Sequence, residues 1–235
     1  MKRFKAALIG CSRMGAFIDN EMPKGGRPGA YSHAAGYEAC NRTELVACSD
    51  LRTEVLEQTG LRYNVPKQKQ YLDYKEMIDR EQPEIISIAT QPEHRSEIVI
   101  YAAEHGAKAI YAEKAMAASM TDADAIVEAV EKNNVFFNMG TNRRWDPGYD
   151  TMKAVIDSGR IGNLIALVIH STGHLFNTAS HSFDLLQRLN SDCPVSWVQA
   201  HLPNGDEVID GERLIEDPIG HGILQFENGV TAYAL

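Results

Sequence analysis

A glycine-containing turn follows the first apolar run of the chain and is the first sign of ligand chemistry. Residues 10–15 read Gly-Cys-Ser-Arg-Met-Gly, which differs from the dinucleotide-binding pattern G-x-G-x-x-G only at Ser12. In that pattern, glycine allows the backbone to approach a pyrophosphate, and the helix that follows supplies amide donors. A simple strand-to-helix turn explains the same residues. The candidate cofactor residues of this turn are Gly10, Ser12, Arg13, Met14 and Gly15.

An acidic residue, Asp50, closes the second apolar run, ELVACSD at 44–50. A carboxylate there can accept hydrogen bonds from ribose hydroxyls and repel a 2′-phosphate, so we expect NAD rather than NADP. Asp50 comes 35 residues after Gly15, whereas about 20 residues is the usual spacing. Residues 19–36 are rich in Gly, Pro and charge and are expected to be an insertion, either covering the cofactor or forming a surface loop.

Two further side chains are of the types that catalyse proton transfer. Lys114 follows the fourth apolar run, in AEKA at 112–115, where it could hold a ribose hydroxyl and a substrate oxygen. A solvated Glu113–Lys114 charge pair is the alternative. His181 lies at the start of a helical pattern, which Ser180 or Thr178 is expected to cap. Near a positive helix end His181 would be a neutral base; on periodicity alone, a packed histidine in a capped helix explains the pattern better.

Alternating strand and helix patterns must position these residues in the first part of the chain. The strand-like runs are 4–9, 44–50, 84–90, 107–113 and 135–140. The helical patterns between them are 53–59, 74–80, 92–106 and 121–133, the last capped by Thr121. This alternation predicts a doubly wound parallel sheet covered by helices.

The pattern changes after Pro147 and Gly148. A helix at 149–158 is followed by runs of period two at 163–171, 194–202 and 222–235, with a type I′ hairpin expected at Asn228-Gly229. We therefore predict a dinucleotide-binding domain at 1–142 and a substrate and oligomerisation domain with an open mixed sheet at 143–235. A last strand with an unpaired edge suggests a truncated chain, or a sheet completed by another copy.

The composition of the chain excludes several classes of binding partner. The 235 residues include 23 basic and 32 acidic side chains, a net charge of −9 that argues against nucleic-acid binding. No metal site is expected, because the four cysteines form no CxxC pair and no HExxH motif occurs. The N-terminal apolar run is too short for a signal peptide, and no run approaches the length of a membrane helix. We expect a cytoplasmic protein without membrane contact.

Taken in order, the motifs resemble those of the glucose-fructose oxidoreductase, inositol dehydrogenase and MocA (Gfo/Idh/MocA) family of NAD(P)-dependent oxidoreductases. The resemblance covers essentially the whole chain. The matching segments are GCSRMG at 10–15, SDLRTE around Asp50, IATQPEH at 88–94, AEKA at 112–115, NRRWDP at 142–147, SGRIGNL at 158–164, SHSFDLL at 180–186 and ILQFENGVTA at 223–232. It implies a Rossmann domain followed by an α/β domain with an open mixed sheet that supplies the substrate site and often the subunit interface. Members of usual length extend well beyond residue 235, which suggests a C-terminally truncated chain.

The resemblance also implies roles for particular residues. Lys114 matches the family's catalytic lysine and His181 its catalytic histidine. The residues that match contacts to the cofactor's ribose and nicotinamide are Thr90, Pro92, His94 and Glu113. The chain departs from the pattern at Asn177, where an aspartate is common, and at AEKA, which replaces Glu-Lys-Pro.

These observations predict an enzyme that moves hydride between NAD and a secondary alcohol or ketone of a sugar, polyol or cyclitol. A homo-oligomer formed through the second sheet is expected. Two alternatives remain open at this point. One is a nucleotide-binding regulatory module without the Lys114 and His181 chemistry, and the other is an assembly subunit that binds no cofactor.

Overall fold

In the computed structural model, six strands form one sheet in the first part of the chain. They are β1 (Phe4–Ile9), β2 (Thr43–Ser49), β3 (Gln70–Tyr71), β4 (Ile85–Ile88), β5 (Ala109–Ala112) and β6 (Phe136–Met139). All neighbouring strands are parallel, in the order β3-β2-β1-β4-β5-β6. The strand order therefore reverses between β1 and β4, which is where doubly wound sheets bind ligands. The predicted doubly wound parallel sheet is confirmed.

Helices cover this sheet on both faces. They are α1 (His33–Ala39), α2 (Thr53–Tyr63), α3 (Tyr74–Glu81), α4 (Pro92–Glu104) and α5 (Met120–Lys132). Successive residues of β1 enter opposite cores, because side chains alternate along a strand. Ala7 and Ile9 pack in one cluster with Ile98 and Ile126, and Leu8 packs in the other cluster.

The structure describes residues 2–23, 29–170, 173–203 and 205–235, and part of the expected insertion at 19–36 lies among them. After β1 the chain forms a π-helical turn, Arg13–Phe17, and a 3₁₀ turn, Ile18–Glu21. Residues 33–36 belong to α1, so the expectation that the insertion extends to residue 36 is wrong. Residues 24–28 of the insertion lie outside the described residues.

The expected cap of α5 is also corrected. Ser119, not Thr121, is the N-cap residue, and its hydroxyl accepts a hydrogen bond from the backbone N–H of Asp122. Ser119 has the extended backbone that a capping residue adopts, and Thr121 already lies inside the helix.

The second part of the chain contains a mixed four-stranded sheet. Its elements are α6 (Pro147–Asp157), β7 (Ala166–Ile169), α7 (Ser180–Leu189), β8 (Val195–His201), α8 (Gly205–Val208), β9 (Ile209–Asp210), β10 (Arg213–Leu214), β11 (His221–Phe226) and β12 (Thr231–Ala234). The order of the sheet is β7-β12-β11-β8, with β7 and β12 parallel and the other neighbours antiparallel. β9 and β10 form a separate antiparallel pair. The predicted open mixed sheet is confirmed.

Two details of this sheet contradict the expectations. The last strand, β12, lies between β7 and β11 and is not an edge. The hairpin at Asn228-Gly229 is not type I′, because Gly229 has a φ of 88° and Asn228 is not among the residues with positive φ. The Asn228 side-chain amide instead donates to Asn190 Oδ1 at 2.9 Å, a contact with the C-terminal end of α7 that favours a different turn.

The chain divides into two compact units, Met1–Gly140 and Thr141–Leu235. The first contains the parallel sheet and the second the mixed sheet. Among the described residues, no helix is both long and apolar enough to cross a membrane.

Candidate functional site

The glycine turn at the end of β1 has a backbone that side chains would obstruct. Gly10 has a φ of +85°, and a Cβ placed on it would lie 2.7 Å from the carbonyl oxygen of Ala89. A Cβ on Gly15 would lie 2.0 Å from the carbonyl oxygen of Gly10. Both positions therefore require glycine, for close packing of β1 against the β4 loop and of the following turn against β1. The turn fits the dinucleotide pyrophosphate that the sequence pattern predicts.

The residues between these glycines lie in or directly before the π-helical turn. The Ser12 hydroxyl makes no capping bond, while its carbonyl accepts from Ala16 N at 2.8 Å. Met14 is half-buried in the turn. The exposed Arg13 guanidinium forms a bidentate pair with Glu21, with Nε–Oε1 at 2.8 Å and Nη2–Oε2 at 2.7 Å. That pair ties Arg13 to the 3₁₀ turn, and a phosphate contact by Ser12 stays a prediction.

Asp50, directly after β2, is bonded to the glycine turn. Its Oδ2 accepts a hydrogen bond from the backbone N–H of Cys11 at 2.8 Å. Its Oδ1 accepts from the backbone N–H of Arg52 at 3.0 Å and from Arg52 Nε at 3.2 Å. A carboxylate offers about four lone-pair sites, so these three contacts leave about one for a ribose hydroxyl. Asp50 is thus held in place without being saturated.

The thiol of Cys11, inside the same turn, is fully buried. A hydrogen bond with Cys48 and burial raise its pKa well above the ordinary value. A neutral thiol is a poor nucleophile. Cys11 therefore contributes its backbone N–H and its packing to the site.

The segment from the end of β4 into the first turn of α4 carries three of the predicted cofactor residues. Thr90 has a buried Oγ1 with no hydrogen-bond partner among the described residues. Pro92 is the first residue of α4, where its missing N–H costs nothing, and His94 is exposed in the first turn. A buried hydroxyl without a partner is uncommon in folded proteins, so the Thr90 hydroxyl is the group of this segment that best fits a hydrogen bond with a bound cofactor.

Arg95, which no sequence motif singled out, lies in the first turn of α4. It is 1% exposed, and its Nη2 donates to the carbonyl oxygen of Thr90. Nε and Nη1 have no partner among the described residues. Burial lowers its pKa to about 10, against the charges of Glu113 and Glu93 that raise it. Arg95 therefore carries a positive charge at neutral pH inside the fold.

Glu113, at the end of β5, forms a buried pair with His33, a second residue that the sequence did not single out. His33 Nε2 lies 3.1 Å from Glu113 Oε1, and the two side chains are 3% and 11% exposed. Burial alone would raise the pKa of Glu113, but the hydrogen bond from His33 and the charges of His33, Lys114 and Arg95 together lower it. The site therefore has an ionised Glu113 at neutral pH. Its burial contradicts the alternative of a solvated Glu113–Lys114 pair.

Lys114 follows Glu113 directly and is half-buried. The peptide bond between Lys114 and Ala115 is cis. The carboxyl ends of β1, β2, β4 and β5 therefore bring together Gly10, Asp50, Thr90 and Lys114 in the first unit.

His181 and Asn177 belong to the second unit, and the expected cap of their helix is wrong. Neither Ser180 nor Thr178 caps it, because a π-helical turn, Leu175–Ala179, runs directly into α7. Ser180 Oγ instead donates to the carbonyl oxygen of Phe176 at 2.6 Å. His181 thus lies in the second turn of a continuous helical segment, away from its positive end.

The true start of this helical segment is held by Asp217, from the loop before β11. Its Oδ1 and Oδ2 accept hydrogen bonds from the backbone N–H groups of Phe176 and Asn177, both at 2.8 Å. A carboxylate at a helix N-terminus satisfies free amide donors and suits the positive end of the dipole. Asp217 therefore positions the backbone of Asn177.

Two arginines of the NRRW segment hold α7 from its other side. Arg143 Nη1 donates to Ser182 Oγ at 2.7 Å, one residue after His181. Arg144 Nε pairs with Asp184 at 2.9 Å, and its Nη2 pairs with Asp192 at 2.8 Å. The helix that carries His181 is thus fixed by ion pairs within the second unit.

Comparison with known proteins relates the chain to a family of oxidoreductases. The family model GFO_IDH_MocA, described as an oxidoreductase family with an NAD-binding Rossmann fold, matches residues 25–141. D-apiose dehydrogenase of Paraburkholderia graminis is 33% identical over 163 residues, which are 69% of this chain and 38% of that protein. Inositol 2-dehydrogenase of Salmonella paratyphi B is 30% identical over 190 residues, 74% of this chain and 54% of that protein.

The fold is shared with solved structures. Myo-inositol 2-dehydrogenase from Lactobacillus plantarum superposes with a TM-score of 0.76 at 23% identity, covering 99% of this chain and 69% of that one. Scyllo-inositol dehydrogenase from Lactobacillus casei, solved with NAD(H) and scyllo-inositol, gives 0.75 at 17% identity, covering 99% and 69%. The matched region spans about half the length of the curated relatives. By the order of its motifs, the topology of both sheets and these matches, the chain belongs to the Gfo/Idh/MocA family of oxidoreductases.

Proposed function

We propose that this chain transfers hydride between NAD and a secondary alcohol or ketone of a sugar, polyol or cyclitol. The observation that carries the proposal is the bond between Asp50 and the glycine turn, since it joins a ribose-type carboxylate to a pyrophosphate-type loop. The curated relatives named above are apiose and inositol dehydrogenases, which supports this class of substrate.

In this proposal the first unit is the dinucleotide-binding domain. The turn at residues 10–15 holds the pyrophosphate, and Asp50 accepts from the adenosine ribose and disfavours a 2′-phosphate. Thr90, Pro92, His94 and Glu113 would face the nicotinamide half of the cofactor. When bound, the nicotinamide ring exchanges the hydride, and the protein supplies orientation and electrostatics.

The second unit would supply the acid–base chemistry. His181 accepts the proton of the alcohol, and Lys114 of the first unit stabilises the oxygen on which charge develops. Asn177, at the position where an aspartate is common, can orient a hydroxyl by hydrogen bonds but cannot exchange a proton.

Measurements of cofactor binding and of turnover test separate parts of the proposal. NADH fluorescence should change on mixing with the purified chain, and a screen of sugars, inositols and hydroxy acids with NAD should give turnover. Lys114→Ala should reduce turnover strongly while leaving the Kd for NAD within about tenfold, and His181→Ala should lose about 10²- to 10⁴-fold. Absence of any nicotinamide binding would contradict the dehydrogenase function and favour an assembly role.

We further propose that the chain forms a homo-oligomer through the second sheet and works in the cytoplasm, where NAD is available. One face of the sheet packs on α7 through Leu186, Phe226 and Ala232. On the opposite face, Val168 and Tyr233 are register partners, and they are 58% and 37% exposed. Such an apolar face suits a self-complementary contact between identical copies.

The test of this interface is the mass in solution. Tyr233→Glu should shift the sedimentation of the chain towards the monomer, whereas Glu207→Gln, an exposed change on α8, should not. A wild-type chain that stays monomeric at all concentrations would contradict the homo-oligomer.

A further inference from the structure

Arg95 is a buried charge that the proposed hydride chemistry does not use. Its side chain is among the largest in the structure that are fully buried, and Nε and Nη1 lack partners among the described residues. Taking a guanidinium out of water is unfavourable unless it is paired, so the burial of Arg95 points to a role beyond packing. The contact from Nη2 to the carbonyl oxygen of Thr90 fixes the guanidinium beside the start of α4.

Two carboxylates oppose the positive charge of Arg95. Glu113 is the first of the anionic groups that act on Arg95, and the exposed Glu93 is the second. Glu113 in turn is contacted by His33 at 3.1 Å and acted on by the charge of the adjacent Lys114. Because Arg95 and Glu113 are both buried, neither is strongly screened by water or salt.

The strand order shows which half of a dinucleotide these charges would face. Asp50, at the end of β2, lies on one side of the reversal between β1 and β4. Thr90 and Arg95 follow β4, and Glu113 follows β5, both on the other side. A dinucleotide straddles this point with its pyrophosphate on the first turn. With its adenosine ribose at Asp50, its nicotinamide half extends over β4 and β5.

We propose that Arg95 and Glu113 are opposing buried charges that set the relative affinity of this site for oxidised and reduced nicotinamide. The inference rests on the proposed binding of NAD. The oxidised ring carries a positive charge and the reduced ring is neutral, so a nearby cation weakens binding of NAD⁺ alone and a nearby anion strengthens it. Arg95 therefore favours NADH, and Glu113 favours NAD⁺.

The experiment measures two dissociation constants for each variant, Kd for NADH from its fluorescence and Kd for NAD⁺ from displacement of NADH. Arg95→Met keeps a long side chain and removes the charge, and it should lower the ratio Kd(NAD⁺)/Kd(NADH) by about tenfold. Glu113→Gln should raise the same ratio by about tenfold. Arg80→Met, which removes an exposed charge on α3, is the remote control.

Opposite shifts from the two charge-removing variants support the inference, because lost packing would weaken both forms of the cofactor together. If Arg95→Met fails to fold, the sign of the Glu113→Gln shift decides. Ratios that stay at the wild-type value in both variants, with both cofactor forms bound, overturn the inference and leave the proposed function standing. A wild-type chain that binds neither form overturns both.

Discussion

Asp50 and Cys11, 39 residues apart, are joined by a hydrogen bond of 2.8 Å between the carboxylate Oδ2 and the backbone N–H. The contact links the end of β2 to the turn after β1. A carboxylate fixed against the turn need not be ordered when a ribose arrives, which lowers the entropic cost of binding.

Removing the charge of Asp50 should alter the choice of cofactor. We expect Asp50→Ser to weaken NAD binding and to relieve the repulsion of a 2′-phosphate, an effect on the order of a few kcal/mol. Asp50→Asn retains an acceptor for Cys11 and separates loss of charge from loss of the turn contact. Titration of each variant with NAD and with NADP measures the Kd for each cofactor. Tighter binding of NADP than of NAD by the unmodified chain would show that Asp50 does not contact the ribose.

A methyl group on Gly10 should damage both folding and cofactor binding. Gly10→Ala places a Cβ 2.7 Å from the carbonyl oxygen of Ala89 at a φ of +85°, so we expect a loss of about 1–3 kcal/mol of unfolding free energy and weaker NADH binding. Gly36→Ala is the matched control, because a Cβ there meets nothing within 4 Å. Urea denaturation compares the two, and equal stability of both variants would contradict the close approach.

Loss of Asp217 should loosen the helical segment that carries His181. Asp217→Ala frees the N–H groups of Phe176 and Asn177, at a cost of about 1–2 kcal/mol. The melting temperature measures this loss of stability, and amide hydrogen exchange at residues 176 and 177 measures the exposure of the freed N–H groups. The neighbouring Glu216→Ala, at an exposed position, should leave both unchanged, and similar effects from the two substitutions would argue against a capping role.

The Glu84 carboxylate should make the free energy of unfolding depend on pH. Hydrogen bonds from Lys108 and Lys2 and from the backbone N–H of Lys5 lower its pKa from 4.5 to about 2, against a smaller effect of burial. Since the folded-state pKa is depressed, its stabilisation is complete above about pH 4.5 and is lost as the pH falls towards about 2.

The stability difference between wild type and Glu84→Gln, measured by urea denaturation, should therefore shrink across that window. Glu76→Gln, in an exposed pair with Arg80, serves as the control. A difference that stays constant from pH 5 to about 2 would be inconsistent with the depressed pKa.

A substitution at Asn177 tests whether His181 is the general base. An aspartate at this position would raise the pKa of His181, so Asn177→Asp should move the acidic limb of the pH–rate profile upward. The profile is measured with the substrate found by the screen. An unchanged limb in two active enzymes would mean either that residue 177 lies outside the site or that His181 is not the titrating base.

Local sequence patterns were sufficient to predict the architecture of the two sheets. Buried runs such as 4–9 alternate with helical patterns, and this predicted the parallel sheet because a strand buried on both faces needs helices on each side. The same holds for Gly10 and Asp50, whose places in the turn and at the end of β2 follow from the apolar runs that directly precede them. The period-two runs likewise predicted the mixed sheet, but not the interior place of β12, which depends on pairing with β7 far back in the chain.

Only the tertiary structure decided which polar side chains meet. His33 and Glu113 are 80 residues apart in the chain, and Asp217 caps a segment 40 residues before it. The helical pattern around Arg95 does not indicate that this residue is buried. Its burial depends on how α4 packs against the sheet. Periodicity and capping patterns act within a few residues, whereas a hydrogen bond or a desolvated charge depends on neighbours that folding brings from distant parts of the chain.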